Sequence, residues 1–174
     1  MLTDTLAPFA QALVTELDDE LQTTRRVLER APEAHFSWQP HPKSMALGHL
    51  ATHITDLIGG IAHTLHTTEV DLAHFLEQEE HPATTTAELL QRLDTQGAAA
   101  RAALLAATPD DFEQLWTMRH GEQILMTNTR AEVVRHLISH TAHHRGQLSV
   151  YLRLLDVPVP AIYGPSADEP MFPG

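Results

Sequence analysis

Four histidines lie within nine residues of the segment HLISHTAHHRGQL, residues 136–148. Neutral imidazole is the commonest protein ligand for transition metals such as zinc, nickel and copper. Two histidines four residues apart on a helix point to the same face and can bind one ion. His140 and His144 have this spacing, and so do His136 and His140. The segment therefore predicts a metal site on a helix.

Helical phase favours one of these two pairs. Steps of three and four residues place His140 and His144 on the apolar face of the predicted helix, together with Val133, Leu137, Tyr151 and Leu155. His136 and His143 fall at the edge of that face, and Arg145 falls on the opposite side with Arg135, Ser149 and Arg153. Eight residues of helix span about 12 Å, so His136 and His144 cannot share an ion. His136 is therefore the reserve ligand.

A third ligand is available on the second predicted helix. His53 shares a face with Ala46, Leu50, Leu57 and Ile61, whereas His49 lies at the edge of that face. The ring nitrogens of histidines on an apolar face can also form hydrogen bonds with hydroxyls, amides or carbonyls of the core. An i, i+4 pair together with a third core-facing histidine favours one divalent ion on His53, His140 and His144. Asp56 and Gln147, each three residues after one of these, are candidates to orient the rings.

Four stretches have the periodicity of amphipathic helices. The first covers residues 6–28, and the second extends from an N-cap at Ser44 to about residue 67. The third and fourth begin at capping boxes, Thr85 with Glu88 and Thr129 with Glu132, and the fourth extends to about Leu155. Four such helices in a chain of this length predict an all-α four-helix bundle in a single domain, residues 1–174.

Two further segments complete this prediction. Residues 112–128 have apolar residues on both sides of a His-Gly turn, which predicts a short hairpin or irregular crossover before the last helix. Residues 156–174 are rich in proline and are predicted to be a tail packed on the body, with Tyr163, Met171 and Phe172 as anchors.

Composition excludes several classes of function. The chain has no cysteine, which removes disulfides, thiolate nucleophiles and cysteine-ligated zinc. Eleven basic residues against 23 acidic ones give a net charge of −12, which disfavours nucleic acid and anionic membranes as partners. We find neither a signal peptide nor a membrane-spanning segment and expect a cytoplasmic location. HExxH and ExxH motifs are absent, which excludes the zincin and ferritin-type metal sites.

Three segments resemble the DinB/YfiT-like family of metal-dependent enzymes: WQPHPKSMALGHLATHI (38–54), HLISHTAHHRGQLSVYLR (136–153) and VPVPAIYGPSADE (157–169). The resemblance implies an up-down-down-up four-helix bundle, often a homodimer. It also implies one divalent metal ion per chain, nickel or zinc, on residues that correspond to His53, His140 and His144. Some relatives transfer low-molecular-weight thiols, and others are maleylpyruvate isomerases, so a thiol cosubstrate is implied as well.

An open three-histidine site predicts a function. Closed four-ligand metal sites are structural, whereas three protein ligands leave a position for water or substrate. We therefore expect a metal-dependent enzyme of the thiol-transferase or hydrolase type that acts on a small molecule. The alternative is a non-catalytic bundle that binds a metal or a small molecule. The residues identify no catalytic group besides the metal ligands.

Overall fold

The computed structural model describes residues 8–76 and 81–171, and most of this part is helical. Four long helices form a bundle: α1 (Pro8–Leu28), α2 (Leu47–His66), α4 (Thr86–Ala106) and α6 (Arg130–Leu154). The shorter elements are a 3₁₀ turn (Glu33–His35), α3 (Leu72–Leu76), α5 (Pro109–Glu113), β1 (Glu69–Asp71), β2 (Leu115–His120) and β3 (Gln123–Thr129). The predicted four-helix bundle is confirmed.

Contacts between side chains give the direction of the first three long helices. Helix α1 is antiparallel to α4, because Asp18 pairs with Arg101 while Arg25 pairs with Asp94. Helix α2 is parallel to α4. Thr52, early in α2, accepts a hydrogen bond from the Ala83 amide just before α4 begins, and Gly59, a further two turns along, lies against Gln96.

Helix α6 is antiparallel to α2. Its end lies beside the start of α2, where Tyr151 donates to the carbonyl of Met45, and its start lies beside the end of α2, where Arg130 donates to the carbonyl of Thr67. The four long helices therefore follow the up-down-down-up order that the family resemblance implies. Since α2 packs against both α4 and α6, one face of α2 is directed at α6 along its whole length.

The start of α2 differs from the prediction. Ser44 does not cap it; the N-cap is Ala46, which makes no side-chain bond. Carbonyls of the preceding loop satisfy the first turn instead, since the amides of Leu47 and Gly48 donate to Trp38 and Phe36 at 2.8 and 2.9 Å. A side-chain cap is unnecessary where loop carbonyls accept these bonds.

The predicted caps of α4 and α6 are present. Thr85 accepts a hydrogen bond from the amide of Glu88, but the Glu88 carboxylate accepts from the amide of Thr84 at 2.9 Å, so the predicted box is only half formed. Thr129 and Glu132 form a complete capping box, in which the Thr129 side chain accepts from the Glu132 amide at 3.3 Å and the Glu132 carboxylate accepts from the Thr129 amide at 2.8 Å. This box fixes the start of the helix that carries His140 and His144.

We expect Thr129→Ala to lower the free energy of unfolding by about 1 kcal/mol, because alanine cannot accept the hydrogen bond of the first turn. The midpoint of urea unfolding measures the change. Thr129→Ser keeps the hydroxyl and serves as the matched control, so equal losses in the two variants would contradict a role for the cap.

The hairpin predicted between the last two long helices is β2 followed by β3. The strands are antiparallel, with Leu115 opposite Thr129 and His120 opposite Gln123. Gly121 in the turn has a φ of 58°, a conformation that glycine adopts without strain. Strand β1, which no sequence pattern predicted, pairs in parallel with β2 and completes a three-stranded sheet. The sheet joins the end of α2 to the start of α6.

The buried face of α6 is wider than the predicted stripe. Beside the face that holds the histidines, a second row at steps of four and three is buried: Val134, Ile138, Thr141, Arg145, Leu148 and Leu152. Arg145 is only 1% exposed, so its predicted position on the outer face is wrong. Helix α6 contacts α1 as well as α2, and this second contact buries the row. The histidine face consequently lies at the rim of the core.

Arg145 is held by groups of α1 and the tail. Its guanidinium forms an ion pair with Glu20, donates to Thr24 at 3.1 Å, and donates to the hydroxyl of Tyr163. The Tyr163 hydroxyl in turn donates to Glu20 at 2.7 Å. Of the other two predicted anchors of the tail, Met171 is exposed, and Phe172 lies outside the described residues.

None of the described helices combines the length and apolar character needed to cross a membrane.

Candidate metal centre

Three histidines from two helices converge where α2 crosses the middle of α6. His53 comes from α2, and His140 and His144 come from α6. Each offers one ring nitrogen, and these nitrogens all lie within 4.8 Å of one another. The ring of His53 is 4.7 Å from that of His144 and 5.6 Å from that of His140, measured between centroids. The structure therefore brings together the three residues that helical phase selected.

The two histidines of α6 lie within hydrogen-bond distance of each other. The Nε2 atoms of His140 and His144 are 2.8 Å apart. Two unprotonated nitrogens would repel each other at this distance unless a proton or a cation lies between them. In the protein without metal, one ring donates a hydrogen bond to the other. A divalent ion could replace that proton and bind both lone pairs.

The triad is open to solvent on one side. His144 is buried, at 8% exposed, whereas His53 and His140 are half-buried. This gradient follows from the position of the histidine face at the rim of the α6 core. A ligand could thus reach the triad without a rearrangement of the bundle.

Gln147 orients one of the three rings. Its amide oxygen Oε1 lies 2.8 Å from Nδ1 of His144, which directs Nε2 of the same ring toward His140. Metal-binding histidines commonly donate their second N–H to such an acceptor, which fixes the orientation of the ring. Gln147 therefore occupies the place that the sequence proposed for it.

Asp56 belongs to a different part of the structure. It does not join the group of converging ligand atoms. Partial burial of its carboxylate raises its pKa, and the positive charge of Arg92 on α4 lowers it to a smaller extent. The electrostatic partner of Asp56 is thus on α4, away from α6.

The other histidines named by the sequence lie around the triad or far from it. His49, His136 and His143 are exposed and outside the converging group. The ring of His136, the reserve ligand, is 5.3 Å from that of His140. No role was predicted for His143, whose Nε2 is 3.1 Å from Nε2 of Gln147. Its i, i+4 spacing from Gln147 was the available signal.

His140 has a perturbed protonation equilibrium. Burial, together with the smaller effects of the neighbouring imidazoles of His144, His53, His136 and His143, lowers its pKa to about 4. The ring is therefore neutral at physiological pH, which is the form that binds metals. A site that keeps this imidazole unprotonated suits a cation.

The lowered pKa of His140 predicts a pH dependence of folding. The unfolded chain takes up a proton near pH 6.5, whereas the folded chain does so only near pH 4. Between these values the unfolded state binds more protons, so the metal-free protein loses stability as the pH falls from 6.5 to 4. Urea unfolding of the parent and His140→Gln across this range measures the effect. The stability of the parent relative to His140→Gln should fall as the pH is lowered from 6.5 to 4, and a constant difference would contradict the prediction.

The donor set fits a resident metal ion. Three neutral imidazoles suit zinc, nickel, copper and iron, and one buried ring already has the orienting hydrogen bond that metal ligands require. Because none of the three donors carries a negative charge, a divalent ion held here would keep its full charge for an anionic ligand.

Two clefts lie elsewhere on the described surface. One of about 240 Å³ is between α1 and α4 and includes Leu21 and Gly97. The other, of about 390 Å³, is between α1 and the tail and includes Glu16 and Tyr163. Neither contains a histidine. The triad, and not the larger clefts, concentrates the groups that can do chemistry.

Comparisons with known proteins agree with this architecture. The chain is 28% identical over 153 residues to the uncharacterized protein YrdA of Bacillus subtilis strain 168, which covers 86% of this chain and 85% of YrdA. Its fold is similar to that of a DinB-like protein from Bacillus cereus ATCC 10987, with a TM-score of 0.71, 20% identity, and coverage of 88% of this chain and 97% of the other.

A DinB-like protein of Bacillus subtilis, YjoA, has a similar fold, with a TM-score of 0.65 and 21% identity. The matched region covers 84% of this chain and 96% of YjoA. The sequence profile of the DinB family matches residues 1–171. Because this profile matches almost the whole chain, the chain belongs to the DinB family.

Proposed function

We propose that the protein is a metal-dependent enzyme that holds one divalent ion, zinc or nickel, on His53, His140 and His144. The observation that carries this proposal is the convergence of three ring nitrogens within 4.8 Å at a position open to solvent. Three protein ligands leave at least one coordination position for a substrate, which is the arrangement of catalytic sites.

The reaction we propose is the transfer of a low-molecular-weight thiol to an electrophilic small molecule. When bound, the ion would lower the pKa of a thiol or water ligand and so supply a nucleophile at neutral pH. Thiolate is the nucleophilic form of a thiol. Its sulfur would form a bond to carbon while the leaving group departs with the electron pair, and the thiol proton would pass to solvent. The chain contains no cysteine to compete for the ion.

Hydrolysis uses the same site with water in place of the thiol. The residues of the chain have the same roles in both reactions: His53, His140 and His144 hold the ion, and Gln147 orients His144. The chemical difference lies in the cosubstrate, so both reactions belong in one experiment.

A cytoplasmic homodimer would suit either reaction, and light scattering tests the oligomeric state.

The test is turnover by zinc- or nickel-loaded protein on a panel that pairs thiols with alkylating acceptors and includes simple esters. We expect activity in the parent and its loss in His144→Ala, with the helical circular dichroism unchanged. His120→Ala removes an exposed histidine of the β2–β3 hairpin and is the matched control. Metal binding without turnover on any member of the panel would favour the alternative, a non-catalytic metal-binding bundle.

A further inference from the structure

We infer that Gln147 is a positioning residue that holds His144 in the tautomer able to bind a metal, and that His143 holds the Gln147 amide in the orientation this requires. The inference rests on the proposed function, because the orientation of His144 matters only if the triad binds a metal. Its geometric basis is a chain of three contacts on α6, which links His143, Gln147, His144 and His140.

The first contact sets the tautomer of His144. Oε1 of Gln147 can only accept a hydrogen bond, and it lies 2.8 Å from Nδ1 of His144. Nδ1 therefore carries the single proton of the neutral ring, and Nε2 carries the lone pair. Nε2 is also the atom that faces His140 at 2.8 Å. The hydrogen bond thus leaves a lone pair on the side of the ring where the triad converges.

The second contact sets the orientation of the amide. The two ends of a glutamine amide have nearly the same shape but opposite hydrogen-bonding roles. If the amide of Gln147 flipped, its NH₂ group would face Nδ1 of His144, and the ring proton would have to move to Nε2. Nε2 of Gln147 lies 3.1 Å from Nε2 of His143, which can accept its N–H. His143 thereby favours the orientation in which the amide oxygen faces His144.

Neither residue is needed to hold the bundle together. Gln147 and His143 are exposed, whereas Arg145 and Leu148 of the same turn are buried in the core. An exposed glutamine has many rotamers, and ordering it costs conformational entropy. Two hydrogen bonds to successive histidines offset that cost. This arrangement predicts effects on the site that are separate from effects on folding.

The experiment combines two measurements on the whole chain. Nitrogen-15 NMR of histidine-labelled, metal-free protein reports which ring nitrogen of His144 is protonated, and competition with a chelating dye gives the affinity for zinc. In the parent we expect the proton on Nδ1. In Gln147→Leu we expect it to shift toward Nε2, with zinc bound about 10–100-fold more weakly.

Two variants separate this role from a structural one. Gln147→Glu supplies a group that only accepts, so it should keep the proton on Nδ1 and bind zinc at least as tightly as the parent. Gln91→Leu makes the same change as Gln147→Leu on the exposed face of α4 and should alter neither measurement. Melting temperatures of the metal-free variants should stay close to that of the parent.

The role of His143 is tested in two backgrounds. His143→Ala should weaken zinc binding several-fold in the parent, because the amide is then free to flip. The same substitution should have no such effect in Gln147→Glu, because a carboxylate has no donor end to orient. An equal loss in both backgrounds would overturn the part assigned to His143.

The inference fails if His144 carries its proton on Nε2 in the metal-free parent, or if Gln147→Leu changes neither the tautomer nor the affinity. Failure of the proposed function is a separate result. If the parent binds neither zinc nor nickel, the metal site is wrong, while the tautomer of His144 in the parent and in Gln147→Leu still tests the inference.

Discussion

Replacing Arg145 with alanine should lower the free energy of unfolding by about 3–5 kcal/mol, the cost of removing one partner of a buried ion pair. Arg145 is 1% exposed and pairs with Glu20 on α1, so the variant would leave a carboxylate in the core without its counter-charge. It would also remove hydrogen bonds to Thr24 and to Tyr163 of the tail. For a chain of this size, the loss corresponds to a fall of about 6–20 °C in melting temperature.

Calorimetry or urea unfolding measures this loss, and two variants control it. Arg153→Ala breaks an exposed ion pair with Asp168 and should cost at most about 1 kcal/mol. Replacing both partners, as in Glu20→Leu with Arg145→Met, should recover most of the stability, because apolar residues of similar volume can replace a buried pair. A small loss in Arg145→Ala would contradict the role of this ion pair in joining α1, α6 and the tail.

Alanine at His53, His140 or His144 should abolish the stabilisation that zinc gives the parent. An ion that binds only the folded chain stabilises it by about 2.7 kcal/mol at a concentration one hundred times its dissociation constant. Each variant leaves two imidazoles and should weaken binding well beyond the ~10–100-fold typical of losing a residue that supports a ligand. Melting temperatures with and without zinc show the effect directly.

His136→Ala is the matched control for these three variants. It removes an exposed histidine whose ring is 5.3 Å from His140 but which lies outside the converging group. Zinc should stabilise this variant as it does the parent. If His136→Ala lost the stabilisation and His144→Ala kept it, the reserve pair of the sequence, His136 with His140, would be the pair that binds the ion.

Local rules of helix formation predicted much of the fold. The cap at Thr85 and the capping box at Thr129 depend on residues close together in the chain, and both are present, although Glu88 does not complete a box with Thr85. Ser44 shows where such rules fail, because carbonyls of Trp38 and Phe36 made its capping role unnecessary. Strand β1 likewise depends on a partner, β2, more than forty residues away.

The site could be predicted as far as the phase of a single helix allows. His53, His140 and His144 follow from the 3.6-residue period, and Gln147 from its spacing after His144. Arg145 could not be placed, because the period does not say how many neighbours a helix has. Helix α6 contacts both α1 and α2, and the face directed at α1 buries a charge that single-helix phase assigned to solvent.

Metal content shows whether His53, His140 and His144 hold one divalent ion. It is measured by plasma mass spectrometry of tag-free protein, beside the double variant His53→Ala/His144→Ala. We predict about one zinc or nickel ion per chain in the parent and almost none in the variant. A parent that contains no stoichiometric metal, even after zinc and nickel are offered, would contradict the claim and leave the three histidines as hydrogen-bonded residues at the rim of the core.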